Sequence, residues 1–214
     1  MTRDDLSFAL RLIVVTDDAL AGPRGVEEVV GRSLLGGAPA IQLRDKGASA
    51  RELVRQGLRL RDMTRQHGAL LFINDRFDVA LAVGADGVHL GPDDLPVGHV
   101  RRCAPEGFLI GSSTDDPHRA RQLEAEGADY LGCGAVFGTR TKDVGDEAIG
   151  LHRLDEVARA VRIPVVGIGG VTAPGAWRVA AETAAAGVAV VGAVMSAPDP
   201  AEAVRDLLEP FSTY

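Results

Sequence analysis

Cysteine is scarce in this chain: Cys103 and Cys133 are the two in 214 residues, with no C-x-x-C and no Cys/His spacing around them. That excludes a disulfide framework and a zinc site as expectations, and it makes reduced thiols and a cytoplasmic home the default. A basic excess is also lacking, with 23 Lys and Arg against 30 Asp and Glu and a formal net charge of -7. Nucleic acid is therefore not an expected partner. An anionic small molecule is still compatible, because a few local cations decide that. No apolar run approaches the roughly 20 residues that span a bilayer. The N-terminal Met1-Thr2-Arg3-Asp4-Asp5 carries acids where a secretory leader carries bases. Neither membrane contact nor export is expected. Thr16-Asp17-Asp18-Ala19-Leu20 lacks the glycine fingerprint of a dinucleotide fold, and the chain has no P-loop and no Ser/His/Asp arrangement. No low-complexity linker divides the chain, so residues 1–214 read as one domain. Composition leaves both a monomer and a homo-oligomer open.

What is present is an alternation. Short apolar runs at 12–17, 40–44, 70–75, 87–90, 108–112, 130–136, 164–169 and 188–194 read as strands. Between them lie stretches of helical periodicity at 51–66, 118–126, 154–161 and 173–185, and Val204, Leu207 and Leu208 give a last helix its face. Strands separated by helices imply parallel βαβ units, and continuous apolar strands imply burial on both faces. Eight such units in this length predict a single-domain α/β fold, a (β/α)8 TIM barrel. A doubly wound open sheet is the alternative, disfavoured by the missing fingerprint.

In a barrel, function gathers where the strands end. Strand two ends Gln42-Leu43-Arg44-Asp45-Lys46, and its alternation would project Gln42, Arg44 and Lys46 together. Two cations and an amide there suit phosphate or diphosphate, since Arg offers a planar fork and Lys a point charge. Strand three ends in Asn74-Asp75, and Asp94 follows strand four. Asp75 and Asp94 on neighbouring strand ends suit one Mg2+, which takes one or two carboxylates and completes its octahedron with water and phosphate. The plainer alternatives are that Asp75 caps a helix and Asp93 or Asp94 starts a turn. Residues 138–149 read as a long loop carrying Thr139, Arg140, Thr141 and Lys142. Gly167, Gly169, Gly170 and Gly192 lack side chains at the ends of strands seven and eight, the usual phosphate-binding place in a barrel. His89, inside a strand, reads as a packed histidine; His67, His99, His118 and His152 read as surface residues, and Trp177 and the Phe residues as packing.

Val15–Asp17, Gln42–Lys46, Ile73–Arg76, Gly87–Leu95, Gly127–Gly134, Thr139–Lys142 and Val165–Val171 together resemble, in order and spacing, the thiamine phosphate synthase family over essentially the whole chain. The resemblance implies a Mg2+-dependent transferase that joins hydroxymethylpyrimidine diphosphate to a thiazole phosphate and releases diphosphate. Carried over by motif, Gln42, Arg44, Lys46, Asn74 and Lys142 would hold the pyrimidine diphosphate. Asp75 and Asp94 would bind the metal. Thr139, Thr141, Gly170, Val191 and Gly192 would hold the thiazole phosphate, and Ser113 would face the pyrimidine. Of these, Arg44, Lys46, Ser113 and Lys142 would carry the catalysis.

The chain departs from the family pattern at Ile13, Asp115, Ala135, Gly138 and Gly192, where an aromatic residue, His, Pro, Pro and Ser are usual, and near Gly175, where an Asn is usual. Most of these touch the thiazole-phosphate half or the pocket wall. Two rival readings share the barrel. One is a thiazole tautomerase, which relies on a His near strand five where this chain has Asp115. The other is a non-catalytic barrel that binds a phosphate ligand.

Overall fold

A computed structural model describes residues 2–138 and 148–212. Eight parallel strands pair in chain order and the last closes on the first, a complete barrel. They are β1 Leu12–Val15, β2 Ala40–Leu43, β3 Leu70–Asn74, β4 Gly87–Leu90, β5 Leu109–Ser113, β6 Tyr130–Gly134, β7 Val165–Ile168 and β8 Gly187–Val190. At the closure Val14 lies opposite Ile41 on one side and Val190 on the other. The helices are α1 Arg3–Ala9, α2 Asp18–Ala21, α3 Gly25–Leu35, α4 Ala50–His67, α5 Phe77–Val83, α6 Val97–Cys103, α7 Pro117–Glu126, α8 Gly150–Ala160, α9 Ala173–Glu182, α10 Gly192–Met195 and α11 Pro200–Leu208.

The alternation of strand side chains splits the core in two. Val14, Ile41, Leu71, Val88, Ile110, Leu131, Cys133 and Val188 belong to an outer core under the helices. Ile13, Val15, Ala40, Phe72, Leu109, Tyr130, Val166 and Ala189 form a separate inner core. Leu6 and Leu10 join that inner set, so α1, preceding the first strand, closes the N-terminal end of the barrel. The barrel is open for chemistry at its other end alone.

Local signals start and stop the helices where their chemistry requires. Ser49 and Glu52 form a reciprocal capping box at the start of α4, and Gly68 in the left-handed region ends it. Asp116, Thr172 and Asp199 cap α7, α9 and α11, each followed by proline in the first turn. One device appears twice on the N-terminal face. Asp86, just before β4, accepts the Leu71 N–H at 2.7 Å and pairs with both Arg61 terminal nitrogens at 2.6 and 3.0 Å. Asp129, just before β6, accepts the Ile110 N–H at 2.7 Å and pairs with Arg101. Each carboxylate thus ties the preceding strand to the helix that comes before that strand, α4 for Asp86 and α6 for Asp129, which is a stabilising role on that face.

The strands lie where the apolar runs place them, but several end earlier. β1 stops at Val15 and β2 at Leu43, so Asp17, Arg44 and Lys46 belong to loops and strict alternation does not govern them. The largest difference is at the eighth strand, expected through Val194. The chain turns at Val191 (φ -115°, ψ -82°) and Gly192–Met195 is a short helix. Val194 and Met195 are as buried as strand residues, so an apolar run alone cannot show where extended backbone ends. Trp177 and Phe8 are exposed rather than packed.

Candidate active site

The inward positions of the strands change character toward the C-terminal mouth. Above the inner apolar set, Gln42, Asn74, His89 and Ser113 follow on β2 to β5 with the same alternation. On the opposite side the corresponding places are Val15, Gly132, Gly134, Ile168 and Val191. The mouth therefore has a polar half and an apolar, glycine-lined half.

The polar half is held rigidly. The buried Thr16 hydroxyl donates to the Arg44 carbonyl at 3.2 Å and accepts the Arg44 N–H at 2.9 Å, clamping the chain just past the end of β2. Gln42 is buried. Asp45 spends its carboxylate on the Gly47 and Ala48 N–H groups at 3.0 and 3.1 Å, turning the chain so that Lys46 comes back over the rim. The Lys46 ammonium lies 3.5 Å from the Asp75 carboxylate. Lys46 thus reaches Asp75 by this loop rather than by strand alternation, and the Arg44 backbone is fixed by Thr16 just past the strand that carries Gln42.

Asp75 is the one non-glycine residue with positive φ among the described residues, at 63°. Its N–H donates to the His89 carbonyl at 2.8 Å, and the Arg76 N–H reaches the Asn74 carbonyl at 2.7 Å, closing a tight turn around it. Such strain persists where the surroundings enforce it, and it is concentrated at functional sites. Asp75 does not cap α5: the capping position is Arg76, without a side-chain bond. Asp94 does hold a turn, with Oδ2 accepting the Gly91 N–H at 2.7 Å. Its carboxyl also meets Asp75. Burial, then hydrogen bonding to Asp94 and repulsion from it, pushes the Asp75 pKa above the ordinary carboxylate range, and Lys46 offsets part of this. Among the described residues no group of three or more His, Cys, Asp or Glu could hold a metal. Two adjoining carboxylates whose repulsion is only partly offset are nonetheless a donor set that fits Mg2+, which takes its remaining ligands from water and phosphate.

Ser113 and His89 meet. The His89 Nε2 lies 2.8 Å from the Ser113 hydroxyl, and its Nδ1 lies 3.0 Å from the Tyr130 hydroxyl. His89 is therefore not simply packed, as its position inside a strand suggested; it is half-buried and links the inner core to the mouth. The signal was in the strand itself, since apolar Val88 and Leu90 leave His89 on the opposite, inward face. His67, His99, His118 and His152 are exposed, as expected. Cys133 is buried and faces the outer core, and burial pushes its thiol up to about 12, which removes it as a nucleophile.

In the other half, Gly169 and Gly170 have φ of 95° and 66°. A Cβ at Gly170 would overlap the Gly138 carbonyl and stand 2.8 Å from the Phe137 carbonyl, so the loop after β7 lies directly on the loop after β6. These glycines serve close backbone packing as well as any approach to a ligand. The α10 helix starts at Gly192 beside Val191, with the first N–H groups of a helix beyond reach of intrahelical acceptors. Thr139, Arg140, Thr141 and Lys142 lie outside the described residues. Of the departures from the family pattern, Ile13 is part of the inner core and Asp115 is exposed. Gly175 faces Phe137, whose ring carbon would stand 3.1 Å from an added Cβ, so a longer side chain there needs that ring to shift.

Known proteins converge on one family. The family model described as thiamine monophosphate synthase matches residues 12–194. The chain is 46% identical over 196 residues to the thiamine-phosphate synthase of Roseiflexus castenholzii, covering 92% of this chain and 86% of that one. It is 46% identical over 198 residues to the thiamine-phosphate synthase of Moorella thermoacetica, covering 92% and 94%. The solved structure of thiamine phosphate pyrophosphorylase from Pyrococcus furiosus superposes with a TM-score of 0.87 at 43% identity, covering 96% of this chain and 97% of that one. With the barrel and the polar mouth described above, these matches show that the chain belongs to the thiamine monophosphate synthase family.

Proposed function

We propose that this barrel is a transferase of thiamine biosynthesis, joining hydroxymethylpyrimidine diphosphate to a thiazole phosphate with release of diphosphate. The observation that carries the reading is the mutually repelling Asp75–Asp94 pair, with Asp75 strained and contacted by Lys46, on the same mouth as Gln42, Asn74 and Ser113. That is a place built for a cation and a polyanion together. Gln42, Arg44, Lys46 and Asn74 bind the pyrimidine diphosphate, together with Lys142. Asp75 and Asp94 hold Mg2+, which when bound neutralises charge on the diphosphate oxygens. Gly170, Val191 and Gly192, with Thr139 and Thr141, hold the thiazole phosphate on the glycine-lined half.

The chemistry asks for no strong base. The C–O bond to diphosphate breaks and its electron pair leaves with the diphosphate oxygen. The aminopyrimidine ring supports the positive charge left on carbon, and the thiazole nitrogen lone pair forms the new C–N bond. No proton moves. Arg44, Lys46 and Lys142 stabilise the charge growing on the leaving group, with the backbone at Arg44 and the turn to Lys46 set in advance by Thr16 and Asp45. The closed inner core below and the apolar half opposite exclude water from the cation and align the two substrates. Among the described residues no helix is long and apolar enough to cross a membrane, and the site is proposed to work in the cytoplasm on small molecules. The test is incubation of the purified protein with both substrates and magnesium, followed by mass spectrometry. Thiamine phosphate is the expected product; a rearranged thiazole alone, or none, contradicts the proposal.

A further inference from the structure

Tyr130 is fully buried inside the barrel, its ring edge-on to Phe72 with centroids 5.2 Å apart. Space for that ring exists because Gly111 has no side chain; a Cβ there would overlap the phenol. Gly132 does the same for the next residue in line, since its Cβ would stand 3.2 Å from the His89 ring. Two glycines on β5 and β6 thus clear a path along which Tyr130, His89 and Ser113 touch in sequence, from the core to the mouth.

The direction of that chain follows from the Tyr130 end. Among the described residues the one polar partner of the phenol is His89 Nδ1. Were Nδ1 to carry a proton and donate, the phenol proton would be a buried donor with no acceptor, the costlier of the two arrangements. The phenol keeps its proton, because burial holds its pKa well above the ordinary range. Tyr130 therefore donates to Nδ1, Nε2 carries the imidazole proton, and Nε2–H donates to the Ser113 oxygen. The Ser113 proton is then left for the ligand.

We propose that Tyr130 acts as a positioning residue: it fixes His89 as the Nε2–H tautomer and so makes Ser113 a hydrogen-bond donor into the mouth, selecting a ligand that presents a heteroaromatic ring nitrogen as acceptor. This rests on the proposed function for the identity of the ring alone. The tautomer is read by ring-nitrogen NMR of 15N-histidine protein at about pH 8, above the ordinary imidazole range, with the His89 signals assigned by their loss in His89→Gln. The expected result is an unprotonated Nδ1 in the unmodified protein and a tautomer mixture in Tyr130→Phe. A protonated Nδ1 in the unmodified protein overturns the proposal, whether or not the protein turns over. In turnover, Tyr130→Phe is expected to lower kcat/KM for the pyrimidine diphosphate about tenfold, as loss of one hydrogen bond does. In a Ser113→Ala background the same change should have almost no effect. Equal losses in both backgrounds would mean that Tyr130 merely supports the core.

Discussion

Asp75→Asn should make the metal-free protein more stable while removing its chemistry. Asparagine keeps the shape, tolerates the 63° φ, and still offers an oxygen to Lys46. What it removes is a carboxylate facing Asp94. Two like charges about 4 Å apart repel by about 1 kcal/mol in water and about 4 kcal/mol at an effective dielectric near 20. The Asp75 side chain is 23% exposed, which places the repulsion between those limits. Lys46, 64% exposed, returns about 0.5 kcal/mol at most. A net gain of about 1–2 kcal/mol follows for the variant, and in a chain of this size each kcal/mol moves Tm by about 2–4 °C. The sign with pH is fixed by the raised Asp75 pKa. Between the unfolded and the folded pKa the native state holds more protons, so wild-type stability falls as pH rises through that window and then levels. The advantage of Asp75→Asn should therefore be full above the folded pKa and vanish below the unfolded one. Magnesium should reverse the ranking, stabilising the wild type by about 2.7 kcal/mol at a hundredfold excess over Kd and the variant far less. Thermal melts with chelator and with magnesium read all of this. A variant less stable in chelator, or magnesium raising both proteins equally, would refute the shared carboxylate site.

Asp86→Ala should cost about 3 kcal/mol in urea unfolding, because it strands the Arg61 guanidinium and the Leu71 N–H together, yet leave kcat per folded molecule unchanged. Thr16→Val should cost about 1–2 kcal/mol and raise KM for the pyrimidine diphosphate, since the clamp on Arg44 is lost; unchanged KM would show that the clamp does not position Arg44. Gly170→Ala forces a side chain into φ 66° against the neighbouring loop, so about 1–2 kcal/mol of strain and a weakened thiazole-phosphate KM are expected from steady-state kinetics. An unaffected KM for the thiazole substrate would place its phosphate elsewhere.

The barrel was legible because the strands are buried on both faces for most of their length and so read as short, largely apolar runs. The same property hid the end of β8, where the apolar run continues to the buried Val194 and Met195 in a different backbone. Of the candidate site, the meeting of Asp75 with Asp94 and with Lys46 was legible, because acids and cations are conspicuous in a sequence. The site was not legible where a common residue acts through position. Thr16 looks ordinary until its hydroxyl is seen on Arg44. His89 looks like packing until Gly111 and Gly132, residues valued for having no side chain, are seen to open its line to Tyr130 and Ser113. Lys46 reached the expected place by an unexpected route, the Asp45 turn, because loop geometry past a strand end depends on side-chain-to-backbone bonds that strand periodicity does not encode.

The most direct measurement is single-turnover diphosphate release from the pyrimidine diphosphate, with the thiazole phosphate present, in wild type and Asp75→Asn across a magnesium titration. Release that climbs with magnesium in the wild type and falls at least about a hundredfold in the folded variant, as removal of one charge-stabilising group does, is the predicted result. Release that ignores magnesium, or proceeds equally in the variant, would contradict a reaction driven by charge held at this rim.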